Sequence, residues 1–396
     1  MKKKPDFIQL WNPVISFCRI YAVIPLRQSD KEPYFERCSG SLCWCLLVGS
    51  IYLFGFVLSV VLVLDTFSSS SKIIANATFY LIYYVHCEMT LVFFIYRSQD
   101  LLDLFQNWIQ VENLLIKHKI HLGKVLVAQC WTIVIATLIM SHLENGCYII
   151  SAVIDAESLS DTIHLFVNLA GKGTDLNPYF GDYKDIYGFF LIFVESLSEV
   201  AWISGDLIIA LISIICRRYY EALQEKLLSD NHHSFRQLEE LRQLQLAIST
   251  LVHKVTEVFS PLILISVGCN VVYILAFLYS GLEADLFSPS FLVRLIFTYS
   301  FIYVVLRLIF SVFLASRLSE MPEKTIDYLY SLPSIVGSNS DEQINRAIKM
   351  IMIVQEIQSN PISLGGSGFF VLCKSSVAAL FSLIVTYEVV MLQLPR

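Results

Sequence analysis

The stretch YGFFLIFVESLSEVAWISGDLIIALISIICRRYY, residues 187–220, decides how this chain folds. It is apolar over more than the roughly 20 residues that cross a bilayer as a helix, yet it carries Glu195, Glu199 and Asp206. Together with Trp202, these carboxylates are spaced four, three and four residues apart, which places them on one helix face. Carboxylates at this depth cannot face lipid. The stretch therefore predicts a membrane helix inside a bundle with a polar interior.

The composition extends this prediction to the whole chain. Of its 396 residues, 56% are hydrophobic and 16% are charged, and the mean hydropathy is +0.62. These values exclude a water-soluble globular protein. We expect the all-α fold class, as a single seven-transmembrane helical bundle over residues 1–396. The predicted spans are 41–64, 73–96, 124–148, 187–215, 255–281, 291–315 and 365–393.

The connections between spans alternate in their content of Lys and Arg. The segments 1–40, 97–123, 216–254 and 316–364 hold 20 of these residues. The segments 65–72, 149–186 and 282–290 hold 3. Because basic connections stay in the cytoplasm, we predict a cytoplasmic N-terminus and an extracellular C-terminus, the reverse of a G-protein-coupled receptor. The sequon at Asn76 falls on the side predicted to be external, which makes Asn76 a candidate glycosylation site.

Two of the basic connections are predicted to be helical. Apolar residues in 218–258 recur mostly at steps of three and four, which predicts that an amphipathic helix extends span 5 below the membrane. Residues 341–359 show the same pattern and precede a helix stop at Asn360-Pro361. We expect 216–254 and 316–364 to form a cytoplasmic anchor region, shared between subunits. The alternative is that these helices lie flat on the lipid surface.

The polar residues inside the predicted spans are candidates for ligand binding. Carboxylates that accept hydroxyl hydrogen bonds, beside an aromatic ring that covers a C–H surface, suit a sugar or polyol. The candidates are Glu195, Glu199, Trp202, Asp206, His142, Asn270, Tyr273, Tyr299 and Tyr303. In the alternative interpretation, the carboxylates instead satisfy Arg307, His86 or His142 on other spans.

The sequence carries no signature of an enzyme. There is no H-E-x-x-H, no G-x-S-x-G and no Gly-rich phosphate loop. The ten cysteines contain no C-x-x-C pair and are expected to be small core residues. We therefore predict no catalytic residue, no metal site and no cofactor, and neither the charge nor the motifs indicate a nucleic-acid partner.

The last predicted span carries an uncharged polar stripe. At 100° per residue, the small and polar residues fall within a narrow sector, and Glu388 points almost opposite to Thr386. The residues of the stripe are Ser375, Ala379, Ser382, Thr386, Val390 and Gln393. Hydroxyl and amide dipoles suit an ion path, but a polar seam between two helices would use the same residues.

Four short motifs resemble one family of membrane receptors. Thr386-Tyr387, followed after five residues by Gln393, resembles the T-Y-x(5)-Q-F signature of insect gustatory receptors, which are relatives of the odorant receptors. The whole segment TYEVVMLQ looks closest to the TYELVLxQ form of their sugar-receptor branch. SPLILIS at 260–266, SGFFVLCK at 367–374 and the pair Trp202-x-x-x-Asp206 also resemble that branch.

This resemblance implies a tetrameric, ligand-gated, non-selective cation channel in the plasma membrane of a sensory neuron dendrite. Its partners would be membrane lipid, permeant cations, a small-molecule tastant such as a sugar, and related subunits in a homo- or hetero-tetramer. Span 7 would line the pore through Ser382, Thr386 and Val390. Gln393 and Leu394 would form the gate, with Leu394 in place of the family's usual Phe. Glu388 and Tyr387 would couple the ligand pocket to the gate.

Other functional classes remain open at this stage. A receptor for bitter compounds, or an odorant-type subunit, would give currents only with its own ligand or a co-receptor. A transporter would show saturating flux without unitary currents. A G-protein-coupled receptor would place its N-terminus outside the cell.

Overall fold

The computed structural model confirms an all-helical fold. It describes residues 11, 14–15, 18–28, 33–34, 39–66, 71–120, 123–154, 184–229, 235–283, 291–331 and 340–393. Within these residues the long helices are α1 Gly40–Thr66, α2 Ser71–Tyr96, α3 Ser98–Lys117, α4 Gly123–Ile154, α5 Lys184–Ser229, α6 Phe235–Glu283, α7 Phe291–Ser319, α8 Met321–Ser331, α9 Ser340–Ser359 and α10 Lys374–Gln393. Two antiparallel pairs of two-residue strands accompany them, β1 Arg27–Gln28 with β2 Pro33–Tyr34, and β3 Gly365–Gly366 with β4 Phe370–Val371.

The apolar stretches of these helices overlap the predicted spans, and the seven-span topology stays a prediction. Five are long and apolar enough to cross a membrane, and they lie at Gly40–Val61, Val125–Glu144, Ser196–Leu227, Gln237–Tyr279 and Thr298–Tyr330. Two shorter apolar stretches, Leu81–Tyr96 and Lys374–Tyr387, fall in the second and seventh predicted spans. The direction in which each helix crosses the membrane stays a prediction.

Helix α5 forms the centre of the bundle. Nearly all of its side chains between Val194 and Tyr220 that the structure describes are buried. It packs against α2, α4, α6 and α7. Burial among neighbouring helices keeps the carboxylates of α5 away from lipid, which explains why the stretch with the most carboxylates is also the innermost.

Helix α6 is much longer than one crossing of a membrane requires. Its 49 residues correspond to about 74 Å at 1.5 Å per residue, more than twice the roughly 30 Å thickness of the hydrocarbon layer. The predicted amphipathic face is buried through Leu238, Leu241, Leu244, Ile248 and Leu251. Residues 235–254 are thus helical and continuous with the predicted span 5, and the helix begins at Phe235, after α5 has ended at Ser229. The position of this extension below the membrane stays a prediction.

Helices α3, α8 and α9 cover the extended ends of α5 and α6, and we call this region the extension bundle. Trp108 on α3 donates a hydrogen bond to the Tyr219 hydroxyl over 2.7 Å. The Arg242 guanidinium on α6 lies 2.5 Å from a carboxylate oxygen of Glu356 on α9. The connection 97–123 thus contains a packed helix, and 341–359 is helical as predicted.

The last helix begins at Lys374, so the prediction that a helix starts at residue 365 is wrong. Residues 365–371 form the β3–β4 hairpin. Its turn places Ser367 at φ 48° and Gly368 at φ 80°, the left-handed backbone of a type I′ turn. Ser260 on α6 accepts a hydrogen bond from the Ser367 amide. The apolar run GFFVL resembles a span by composition, but the two positive φ angles fold it back on α6.

Candidate ligand site and last helix

The polar face of α5 is buried in the middle of the bundle. Glu199 is 8% exposed, Trp202 5% and Asp206 2%. Seven residues of helix separate Glu199 from Asp206, or about 10 Å along the axis. The face therefore divides into an end at Glu199, an aromatic layer at Trp202 and an end at Asp206. The side chain of Glu195 lies outside the described residues.

Asp206 is the acceptor at the centre of a hydrogen-bonded cluster that joins three helices. Ser266 on α6 donates to Oδ1 over 2.6 Å. The Asn270 side-chain amide donates to both carboxylate oxygens over 3.0 and 2.9 Å. Arg307 on α7 places its Nε 2.6 Å from Oδ2 and donates from Nη2 to the Asn270 carbonyl oxygen over 2.8 Å. We call these four residues the Asp206 cluster.

The Asp206 cluster matches the alternative interpretation of the carboxylates, in which Arg307 is the partner of one of them. Its formal charges cancel, and a buried ion pair needs such additional hydrogen bonds to offset the cost of leaving water. Asn270 was expected to face a ligand, and its amide instead bridges Asp206 and Arg307. Direct ligand contacts from Asp206 or Asn270 stay a prediction.

Trp202 forms an aromatic layer next to the Asp206 cluster. Its ring centroid lies 5.0 Å from that of Tyr273, 5.3 Å from Tyr83 and 4.4 Å from His86. The Arg307 guanidinium carbon lies 5.3 Å from the same centroid, within the range of a cation–π contact. The indole is thus packed between aromatic rings and polar groups, and it is itself 5% exposed.

The end at Glu199 is more open. Ser141 on α4 donates a hydrogen bond to the Glu199 carboxylate. The His142 Nδ1 lies 3.6 Å from Oε2 of Glu199, and the His142 side chain is 49% exposed. His142 is thus the exposed side chain at this end, whereas Asp206 at the opposite end is 2% exposed.

Two stacked tyrosines join α7 to α4 beside Glu199. The rings of Tyr299 and Tyr303 are 6.3 Å apart and nearly parallel. Tyr299 donates to the Met140 carbonyl over 2.8 Å, and Tyr303 donates to the Thr137 carbonyl over 3.3 Å. Both hydroxyls therefore hold the helix pair together in this structure, and a role in ligand binding stays a prediction.

The structure brings together every described residue that was predicted to bind a ligand. The set spans α4 to α7, and α2 adds residues that periodicity alone did not select. Tyr83, Ser141 and Ser266 were missed, because a single tyrosine or serine in an apolar helix carries no signal. His86 and Arg307 had been named only as partners for carboxylates. A charge inside an apolar span requires a partner, and this rule could have assigned Arg307 to Asp206.

A separate groove of about 350 Å³ lies between α3 and α6 in the extension bundle. It is lined by Asn107, Gln110, Gln243, Thr250, Lys254 and four apolar neighbours. None of the predicted ligand residues lines it, and the buried cluster around Trp202 matches the predicted chemistry more closely.

Helix α10 exposes the stripe that was predicted to face an ion path. Ser382, Thr386, Val390 and Gln393 are exposed in the single chain. The opposite side packs on the core through Val377, Leu380 and Ile384. The side chain of Glu388 and all of Leu394 lie outside the described residues, as does the side chain of Asn76. Tyr387 is half-buried.

Fold and site together define a multi-helix protein whose helices are long and apolar enough to cross a membrane. Its fold is similar to that of the insect olfactory receptor OR5 from Machilis hrabei, with a TM-score of 0.78, 15% identity, and coverage of 99% of this chain and 100% of that one. The same receptor in complex with eugenol gives a TM-score of 0.75 at 17% identity, covering 98% and 99% of the two chains.

The sequence comparisons give the family. The model of the trehalose receptor family matches residues 2–396, and the chain belongs to this family of insect gustatory receptors. It is also 25% identical over 413 residues to the gustatory receptor for sugar taste 64b of Drosophila melanogaster, covering 98% of this chain and 95% of that protein. The gustatory resemblance of TYEVVMLQ is confirmed, and the family is one of receptors, not enzymes.

Proposed function

We propose that this chain is a subunit of a ligand-gated cation channel that a neutral sugar opens from outside the cell. The observation that carries the proposal is the site around Trp202. The indole of Trp202 lies between the Glu199 carboxylate and the Asp206–Arg307 pair, and the two charges of that pair cancel. Aromatic surface together with hydroxyl, amide and carboxylate hydrogen-bonding groups suits a neutral polyol better than an ion.

The comparisons support a sugar as the ligand class. The matching family is named for trehalose receptors, and the Drosophila relative is a receptor for sugar taste. Trehalose is accordingly the first ligand to test. A bitter or odorant-type ligand, or a need for a co-receptor subunit, is the alternative.

The exposed stripe of α10 supports the channel part of the proposal. Hydroxyl and amide groups on a membrane helix must meet water or another polar surface. We propose that four copies of the chain, or this chain with related subunits, bring their α10 helices around a common axis. Ser382, Thr386 and Val390 then face permeant cations, and Gln393 and Leu394 form the gate at the external end.

The remaining assignments follow from the same arrangement. The N-terminus and the extension bundle lie in the cytoplasm, and Asn76 lies outside and accepts a glycan. The channel resides in the plasma membrane. Ligand binding favours the open state by contacting it more strongly than the closed one, and Tyr387 and Glu388 transmit the shift from the site to the gate.

The test is to express the chain alone in cells without other chemoreceptors and to record currents. Trehalose, sucrose, glucose and a panel of bitter compounds are applied with and without a G-protein inhibitor, and polyethylene glycol of equal osmolality is the control. We expect a dose-dependent cation current with trehalose that the inhibitor leaves intact. Currents only after co-expression with a related receptor would indicate an obligate subunit. Currents from bitter compounds alone would contradict the sugar assignment.

A further inference from the structure

His86 occupies the centre of the bundle with unused hydrogen-bonding capacity. It lies on α2 and is 0% exposed, and its ring packs edge-on against Trp202. Within the part of the chain that the structure describes, neither Nδ1 nor Nε2 has a hydrogen-bond partner. Buried polar atoms without a partner are few in native proteins and call for an explanation. A bundle in lipid offers no bulk water to supply one.

Arg307 brings a second unused donor to the same indole. Its Nη2 bonds to Asn270 and its Nε pairs with Asp206. Its Nη1 is buried and has no hydrogen-bond partner among the described residues. Trp202 therefore contacts two buried side chains, each of which has polar atoms that the ligand-free chain does not satisfy.

Helix α5 packs closely on α6 next to His86 because residue 205 is glycine. A Cβ placed at Gly205 would come within 2.9 Å of the Ser266 side chain and within 3.8 Å of His86 Nε2. A larger residue would push against Ser266. Glycine at this position keeps α5 close to both Ser266 and the imidazole.

We propose that His86 recognises a hydroxyl group of the bound sugar, together with Nη1 of Arg307. A neutral imidazole has one donor and one acceptor nitrogen, and an arginine only donates. One hydroxyl can accept from Nη1 of Arg307 and donate to the acceptor nitrogen of His86, and a second hydroxyl can accept from the imidazole N–H on the other side of the ring. A carboxylate fits worse, because it cannot donate and would lie near the negative charge of Asp206. His86 is then a specificity-determining residue that selects for a neutral, hydroxyl-bearing ligand.

This inference rests on the proposed function and names the residue that the ligand contacts most deeply. A resident water molecule would satisfy the same atoms. A sugar hydroxyl bonded to His86 contributes to the affinity for the sugar, whereas a water molecule that stays in place does not. The experiment therefore measures binding and ligand-free stability separately.

The full-length receptor is compared with His86→Phe, His86→Asn and Thr90→Val. Thr90 is the matched control, because it lies one turn further along α2, is 0% exposed, and has an unpartnered hydroxyl. We expect His86→Phe to raise the trehalose concentration for half-maximal current by about tenfold, which corresponds to about 1.4 kcal/mol. His86→Asn keeps a donor and an acceptor and should give a smaller shift. Thr90→Val should give none. An unchanged value for His86→Phe would indicate a resident water only and would overturn the proposal.

Thermal unfolding of the purified, ligand-free proteins in detergent provides the second readout. His86→Phe fills similar space without polar nitrogens, so its melting temperature should equal or exceed that of the unmodified protein. A drop confined to the His86 variants would show that the imidazole serves the ligand-free fold, and the proposal would fail.

Failure of the channel function can be distinguished from failure of the proposed role of His86. If no sugar opens the channel, the shift in melting temperature caused by trehalose still reports binding. A shift that His86→Phe abolishes supports the role of His86 even in a protein that does not conduct. No shift in any of the proteins overturns it.

Discussion

Two sets of polar residues lie within apolar helices of this chain, and they differ in charge and in burial. The Asp206 cluster is buried and joins α5, α6 and α7 through ionic and hydrogen-bonded contacts. The stripe on α10 is uncharged and exposed. A charge in lipid is costly enough to require a partner. Uncharged hydroxyl and amide groups can be exposed on a single chain and contact water or a neighbouring copy in the assembly. The difference separates a site built by one subunit from a surface completed by several.

The largest effect is expected from breaking the buried ion pair. Arg307→Met leaves the Asp206 carboxylate in the bundle without its cation, and removing one member of a buried pair costs about 3–5 kcal/mol. We expect loss of most folded receptor, measured as surface expression and as monodisperse protein in detergent. Asp206→Asn added to this variant should restore part of the loss, because the remaining group is then neutral.

Arg97→Met is the matched control for the ion pair. Arg97 pairs with Asp100 near the surface, where the side chains are 33% and 44% exposed, and such pairs contribute about 0.2–1 kcal/mol. Equal losses from Arg97→Met and Arg307→Met would show that the Asp206 cluster has no special place in the fold.

The next effect concerns the α10 stripe and is measured in current, not stability. In the Thr386→Cys channel, a cationic methanethiosulfonate reagent applied during ligand exposure should block most of the current, because a fixed positive charge in the pore repels cations. Ile384→Cys, on the packed side of the same helix, should be modified far less. The unmodified protein, with its native cysteines, sets the baseline. Equal modification at both positions would place the stripe outside the ion path.

A smaller effect is expected from Ser266→Ala. This change removes the hydroxyl that donates to Asp206 over 2.6 Å and leaves the other contacts of the carboxylate in place. Hydrogen bonds to charged groups contribute about 1.5–3 kcal/mol, so we expect the melting temperature in detergent to fall by several degrees. A variant as stable as the unmodified protein would mean that Asn270 and Arg307 satisfy Asp206 without help.

The smallest effect is expected from Ser382→Ala, the same chemical change on the exposed stripe. Surface substitutions of this kind usually alter stability by less than about 0.5 kcal/mol, so the melting temperature should not move. We expect Ser382→Ala to differ from the unmodified protein in its single-channel conductance. A loss of stability equal to that of Ser266→Ala would indicate that the stripe is a helix seam and would remove the contrast between the two regions.

The sequence by itself determined a good deal about this protein. The length of its apolar runs predicted the positions of the membrane helices, and the steps of three and four predicted the long extension of α6. The spacing of Glu199, Trp202 and Asp206 predicted one buried face. TYEVVMLQ indicated the family. These signals are local, since they depend on the rise and period of a single helix.

Only the tertiary structure decided which residues meet. It paired Asp206 with Arg307, 101 positions apart by number (307 − 206), and left His86 beside Trp202 with unmet nitrogens. It also folded 365–371 into a hairpin and turned the polar stripe of α10 away from the core. The periodicity of a single helix does not predict these contacts. They depend on how the helices cross and on the free-energy cost of leaving each charged side chain in lipid.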